Sequence, residues 1–268
     1  MKQKTTAVLS AAALVLGVAG TTQAGTLEDV QSQGVLRCVV STGIAGFAQP
    51  DASGVWKGFD IDFCRATAAA VLGDANKIEA VTSTGKTRFT KLNAGEGDVL
   101  WRNTTITFSR DVGVKLRFHG VNYYDGQGFM VKKSLGVKSA TELDGASVCI
   151  QTGTTTELNL ADYFSSNGMN YEPVTIETND EARQNYESGR CDVYTTDASG
   201  LASTRSALPN PDDHMVLPEI ISKEPLGPAT RHGDDQWSDI VTWVLNATIT
   251  AEELGVTMAN VDQMKSSN

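Results

Sequence analysis

Histidine is scarce in this chain. There are three in 268 residues, His119, His214 and His232, set far apart. No H-E-x-x-H pair, G-x-S-x-G elbow or Walker phosphate loop occurs, which excludes those metal-hydrolytic, serine-nucleophile and nucleotide chemistries. Basic runs are missing too: 22 Lys and Arg face 32 Asp and Glu, for a formal charge of −10. Such a chain is a poor partner for nucleic acid or an anionic membrane, and any anion site in it must be built from local groups. The four cysteines form no C-x-x-C pair, and their spacings of 26, 85 and 42 do not suit zinc. Neither a metal nor a cofactor is expected. No apolar run reaches the ~18 residues of a membrane helix.

What is present begins with a leader. "MKQKTTAVLSAAALVLGVAGTTQA" has two lysines, an apolar run from Ala7 to Ala19 and a small-residue exit at Thr22-Gln23-Ala24. This pattern predicts a secretory signal peptide over 1–24, cleaved after Ala24. Its loss would leave 20 basic against 32 acidic residues, a formal charge of −12. In an exported chain the even count of cysteines, Cys38, Cys64, Cys149 and Cys191, reads as two disulfides. Composition leaves all three pairings open.

Two patterns recur in the same order. "GVLRCVVSTG" (34–43) and "GASVCIQTG" (145–153) share Gly, three residues, Cys and a Thr-Gly exit. "LNAGEGDVLW" (92–101) and "YESGRCDVYT" (186–195) share Gly, two residues and Asp-Val. They predict two lobes of similar construction, each β-α-β-α-β. The first has strands at 35–41, 78–82 and 98–102, with a helix opened by Asp60 and stopped by Gly73 and another over 86–94. The second has strands at 147–151, 172–176 and 191–195, with helices over 156–164 and 180–187. Such alternation implies an α/β fold with mostly parallel sheets, in which ligands sit beyond the carboxyl ends of strands.

That rule gives meaning to "QTGTTTELN" (151–159). Thr154 followed by Glu157 reads locally as a capping box. The same hydroxyls and free N–H groups also make an anion cradle at a helix start. Thr196-Asp197 leaves a second strand of that lobe, and Asn103–Thr107 leaves the corresponding strand of the other, with Arg110 close behind. One guanidinium among threonines, with a carboxylate opposite, suits a zwitterion. Arg110 would hold an α-carboxylate bidentately, helped by Thr105, Thr155 and the main-chain amides of Thr154 and Thr155, and Asp197 would accept the α-ammonium, joined by Asn103. Phe47, Trp101 and Arg102 are the candidates for the side-chain pocket, Phe47 being read equally well as core. Trp237 and Trp243, on a helix over 234–253, are read as packing residues.

The blocks "GFDIDFCRATAAAVLGD", "WRNTTITFSRD", "NYYDGQGFMVKKSLGVKSATELDGASVCIQTGTTTELNLADYF", "RCDVYTTDASGLA" and "EIISKEPLGPATRHGDDQW" resemble periplasmic general L-amino-acid-binding proteins of ABC importers. The resemblance runs from about Thr26 to Lys265. It implies a two-lobed clamp, monomeric, that captures L-amino acids, polar ones included, and delivers them to an inner-membrane permease. It assigns 25–124 with 229–268 to one lobe and 125–228 to the other, with hinge crossings near 124–126 and 225–228. It implies the roles of Arg110, Thr155 and Asp197 given above, and the pairs Cys38–Cys64 and Cys149–Cys191, one bridge per lobe. Two positions depart from these relatives: Trp101 stands where they usually carry a small residue, and Ile106 where they usually carry Trp. The chain also stops short of their usual length. Two other readings compete. A dehydratase of the cyclohexadienyl or arogenate type on the same fold would need Glu157 or Asp197 as its acid. A receptor's sensing module would need a membrane tether.

Overall fold

The computed structural model of the chain describes residues 25–266, so the leader expected over 1–24 lies outside the described residues. Helix α1 (Thr26–Gln33) ends at Gly34, whose φ of 70° closes it, and β1 (Leu36–Ser41) follows. A ribbon of β2 (Gln49–Pro50) and β3 (Trp56–Lys57) leads into α2 (Phe59–Leu72), β4 (Ile78–Ser83), α3 (Arg88–Asn93), β5 (Val99–Leu100) and β6 (Leu116–Phe118). Strand β7 (Tyr123–Asp125) carries the chain onward to β8 (Gln127–Lys132), β9 (Ser147–Gln151), α4 (Thr155–Ser166), β10 (Glu172–Ile176), α5 (Asn179–Glu187), β11 (Val193–Asp197), α6 (Ala198–Ser206) and β12 (His214–Val216). It returns through β13 (Glu224–Leu226) to β14 (Ala229–Arg231), α7 (Asp235–Glu253) and α8 (Val261–Ser266). Among the described residues no helix is long and apolar enough to cross a membrane.

Two five-stranded sheets result, ordered β4-β1-β5-β14-β6 and β10-β9-β11-β8-β12. They share one plan. In each, three strands run parallel and a fourth pairs antiparallel with the third. That fourth strand, β14 or β8, is the one the chain enters directly from a crossing strand, β13 or β7. The crossings pair with each other, Glu224 opposite Asp125 and Leu226 opposite Tyr123, and tie the lobes along two adjacent strands.

The duplication extends to single hydrogen bonds. Asp98 accepts from the Arg37 N–H at 2.8 Å and from its guanidinium at 2.6 Å. Asp192 accepts from the Ser147 N–H at 3.2 Å and from its hydroxyl at 2.6 Å. Each aspartate of the repeated Gly-x-x-Asp-Val thus pins the start of the neighbouring central strand. Trp237 is buried and donates its indole N–H to Asp98 O at 2.9 Å, which docks α7 on the first lobe. Trp243 differs from the packing role expected of it: the residue is 69% exposed.

Two local expectations need correction. Gly58, not Asp60, precedes α2, because the Asp60 side chain is drawn into the interior beside Arg102. The strand expected over 98–102 is only Val99–Leu100, and the chain beyond it continues as a loop in which Trp101 and Arg102 stay buried.

Cys38 pairs with Cys64, Cα atoms 6.3 Å apart, and Cys149 with Cys191 at 5.6 Å. Each bridge closes a loop inside one sheet-and-helix unit, leaving relative motion of the two units free. By loop-closure entropy each contributes on the order of 3–4 kcal/mol. Non-reducing peptide mapping should recover these two pairs alone. A peptide joining Cys38 or Cys64 to Cys149 or Cys191 would contradict the arrangement.

Candidate functional site between the lobes

The loop after β5 and the helix after β9 face each other across the sheets' carboxyl ends. At the rim the backbones touch. Gly153 has a φ of 72°, and a Cβ there would lie 2.8 Å from Lys86 Cα. A Cβ on Gly85 would lie 3.0 Å from Thr152 O. Two bare glycines therefore let the lobes close on one another, and any side chain at Gly153 would meet both strain and a clash. Deeper in, Thr105 Oγ1 of one lobe stands 3.3 Å from Thr155 Oγ1 of the other.

Arg110 lies in a single turn of π-helix, Ser109–Gly113, a rare conformation that re-aims a side chain. It is buried, with its guanidinium over the Phe89 ring at 5.2 Å and Nη1 donating to Thr105 O at 2.8 Å. Burial pulls its pKa down to about 10, with Glu224 and Asp197 opposing, so the group stays charged at neutral pH. Among the described residues no carboxylate lies within 4.0 Å of Arg110, Arg102 or Arg88. Three buried guanidiniums without a direct anion are costly unless a further anion completes the site.

Asp197 ends β11 and precedes α6, yet its side chain makes no capping bond. Burial pushes it up to about 7, with Asp125 and Glu224 adding and Arg88 and Arg110 opposing. It is a carboxyl group placed where negative charge needs a cation. Asn103 adds a buried side-chain oxygen, Oδ1, with no protein partner.

The threonine cluster divides its labour. Thr154 is the N-cap of α4: its hydroxyl accepts from the Glu157 N–H at 3.3 Å and donates to Gln151 O at 2.7 Å. Glu157 accepts in turn from the Gly153 N–H at 3.0 Å. The Thr154 hydroxyl is therefore spent on the helix. What remains there is the main-chain N–H. Thr155, one residue on, points its hydroxyl into the cleft. The capping reading of the segment holds at Thr154 and Glu157.

Trp101 also requires correction. It is fully buried in the first lobe, stacked on Phe63 at 4.7 Å, with its indole N–H on Thr67 Oγ1 at 3.0 Å. The large ring is core and walls no pocket. Phe47 is buried edge-on against Phe59 and Tyr123, so it braces the root of the crossing strand. Arg102 lies beside Asp60, which burial raises to about 7 while Arg102 pulls it back. Burial lowers Arg102 itself to about 10.

Two residues of this site escaped the sequence reading. Arg88, at the start of α3, is buried over Phe89 and donates to Asn103 O at 3.2 Å. Burial, with Arg102 and Arg110 beside it, lowers its pKa. Glu224, on the returning crossing strand, is 2% exposed and collects donors from both lobes. The signals were a lone Arg on an apolar helix start and an acid immediately before Pro225, both weak in isolation.

Among the described residues no cluster of His, Cys, Asp or Glu is arranged to hold a metal. A separate opening of about 280 Å³ spans the lobes, lined by Thr42, Gln49, Asn179, Arg183 and Ser203 among others.

The family model for bacterial extracellular solute-binding proteins, family 3, matches residues 36–258. The chain is 58% identical over 268 residues to the general L-amino acid-binding periplasmic protein AapJ of Rhizobium johnstonii, covering all of this chain and 78% of that protein. It is 58% identical over 264 residues to the glutamate/glutamine/aspartate/asparagine-binding protein BztA of Rhodobacter capsulatus, covering 98% and 78%. A periplasmic binding protein of an ABC transporter from Brucella ovis, solved with glutathione bound, superposes with a TM-score of 0.87 at 56% identity, over 91% of this chain and 76% of that one.

Proposed function

Because the chain belongs to the bacterial extracellular solute-binding proteins of family 3, we propose that it captures L-amino acids between its lobes and presents them, enclosed, to the permease of an ABC importer. The observation that carries the reading is the pairing across the cleft of Arg110, a buried cation with no carboxylate within 4.0 Å, and Asp197, a buried carboxyl raised to about 7. A zwitterion supplies the counter-charge to both. Arg110 and the N–H groups of Thr154 and Thr155 take the α-carboxylate at the α4 N-terminus, where the helix dipole assists. Asp197 and Asn103 Oδ1 take the α-ammonium. Arg88 and Arg102 line the remaining polar space, in keeping with relatives named for general, acidic and amide amino acids. Such proteins are binding proteins of importers and not enzymes, and Glu157, an acid the dehydratase reading needs, is occupied at the start of α4. The relatives named periplasmic and the leader pattern over 1–24 support export followed by cleavage, and the protein is expected to act as a monomer.

A panel of L-amino acids on the purified protein tests the reading. Binding to the native state raises stability by about 2.7 kcal/mol when free ligand is a hundred times its Kd. In a chain this long that shifts the melting midpoint by roughly 2–4 °C. Several polar L-amino acids should give this shift and their D-enantiomers much less, since a two-point grip leaves the side chain one direction. A full panel without any shift would refute the assignment.

A further inference from the structure

The hydrogen bonds of Glu224 place it inside the working site, although it need not touch the ligand. Oε2 accepts from Thr105 Oγ1 at 2.6 Å and from Thr155 Oγ1 at 2.9 Å. Oε1 accepts from Asn159 Nδ2 at 2.7 Å and from Ser222 Oγ at 2.6 Å. Thr105 belongs to the first lobe and Thr155 and Asn159 to the second, while Glu224 and Ser222 lie on and just before the crossing strand. Four donors on two oxygens fix the carboxylate from all sides. A carboxylate in this role can only accept, and a threonine hydroxyl has one proton. Thr105 and Thr155 therefore spend their protons on Glu224, and only lone pairs remain to face the cleft.

From this geometry we infer that Glu224 is a positioning residue that sets the polarity of the two hydroxyls, making Thr105 and Thr155 acceptors for the ligand's ammonium instead of donors to its carboxylate. This rests on the amino-acid reading above and changes one part of it. The Thr155 N–H still serves the carboxylate, while its hydroxyl and that of Thr105 join Asp197 and Asn103 at the cationic end. The arrangement also couples selection to closure, because Glu224 gathers both hydroxyls only when the lobes meet. An incoming group that offers no N–H at that place finds acceptors on every side, which penalises it.

The test is a double-mutant cycle, read by calorimetric titration with L-glutamate and with L-glutamine on protein that keeps a native melting transition. Glu224→Leu removes the acceptor with little change of bulk, and Thr105→Val removes the hydroxyl it orients. Each single change should weaken binding about tenfold, the worth of one charge-assisted hydrogen bond. The double variant should be little weaker than either single one, since both break the same relay. Thr105→Ser, which keeps the hydroxyl, should bind like the parent when Glu224 is intact and like Thr105→Val when combined with Glu224→Leu. Losses that multiply to about a hundredfold, or Glu224→Leu binding as tightly as the parent, would overturn the inference. Should Glu224→Leu not fold, Glu224→Met, which likewise removes the acceptor while keeping the length of the side chain, replaces it in the cycle with the same two readings. A parent protein that binds no amino acid would instead refute the amino-acid reading.

Discussion

Arg110→Ala and Asp197→Ala should each weaken amino-acid binding by roughly 2–5 kcal/mol, between about thirtyfold and several thousandfold. Most of that loss is the penalty of leaving the opposite end of the zwitterion enclosed without its partner. Arg110 is buried against Phe89, and its Nη1 holds Thr105 O, so its removal should also loosen the loop beyond β5. Asp197 makes no helix-capping bond, and its removal should leave the second lobe's melting unchanged or slightly stabilised. Titration calorimetry with L-glutamate and L-glutamine, with melting curves as the folding control, reads both effects. Variants that bind as tightly as the parent would remove these residues from the site.

Acidification should close the clamp in the absence of added amino acid. With the lobes together, burial, Asp125 and Glu224 raise Asp197 to about 7, against an ordinary value of 3.8 that an opened, solvated cleft restores. The sign follows from proton binding. Between those two values the closed form binds more protons, so closure is favoured as pH falls below about 7, by ~1.4 kcal/mol for each pH unit. From pH 8 to pH 5 this amounts to roughly 3 kcal/mol. A proton on Asp197 then does what a ligand's ammonium does at neutral pH. Arg110 and Arg102, lowered only to about 10, keep their charge over that range, and Asp60 titrates beside Arg102 within the first lobe without spanning the cleft. The scattering radius of the protein should shrink on acidification, and Asp197→Asn should stay compact at both pH values. An unchanged radius in the parent, or an undiminished swing in Asp197→Asn, would contradict this coupling.

The elements that carry local signals were legible in the sequence. Strands 147–151 and 172–176 match β9 and β10 end to end, because apolar runs bounded by Gly or Asn mark them clearly. Gly73 closes its helix with positive φ, as its position suggests. The repeated Gly-x-x-Asp-Val announced two lobes, and its aspartates do the same work in each. What stayed hidden depends on partners remote in the chain. Asp60 looked like a helix cap because nothing near it in sequence reveals Arg102, and Trp101 looked like a pocket wall because Phe63 and Thr67 lie more than thirty residues earlier. Glu224 is 119 residues from Thr105 and 69 from Thr155, so only the closed fold unites them.

The central claim is that Arg110 and Asp197 grip the two charged ends of one amino acid between closed lobes. A crystal structure grown with L-glutamine or L-glutamate tests it most directly. The account predicts density for the ligand in the cleft, its α-carboxylate on the Arg110 guanidinium and the N-terminus of α4, and its α-ammonium on Asp197. Ligand density elsewhere, or seated here with its α-groups away from both residues, would contradict it.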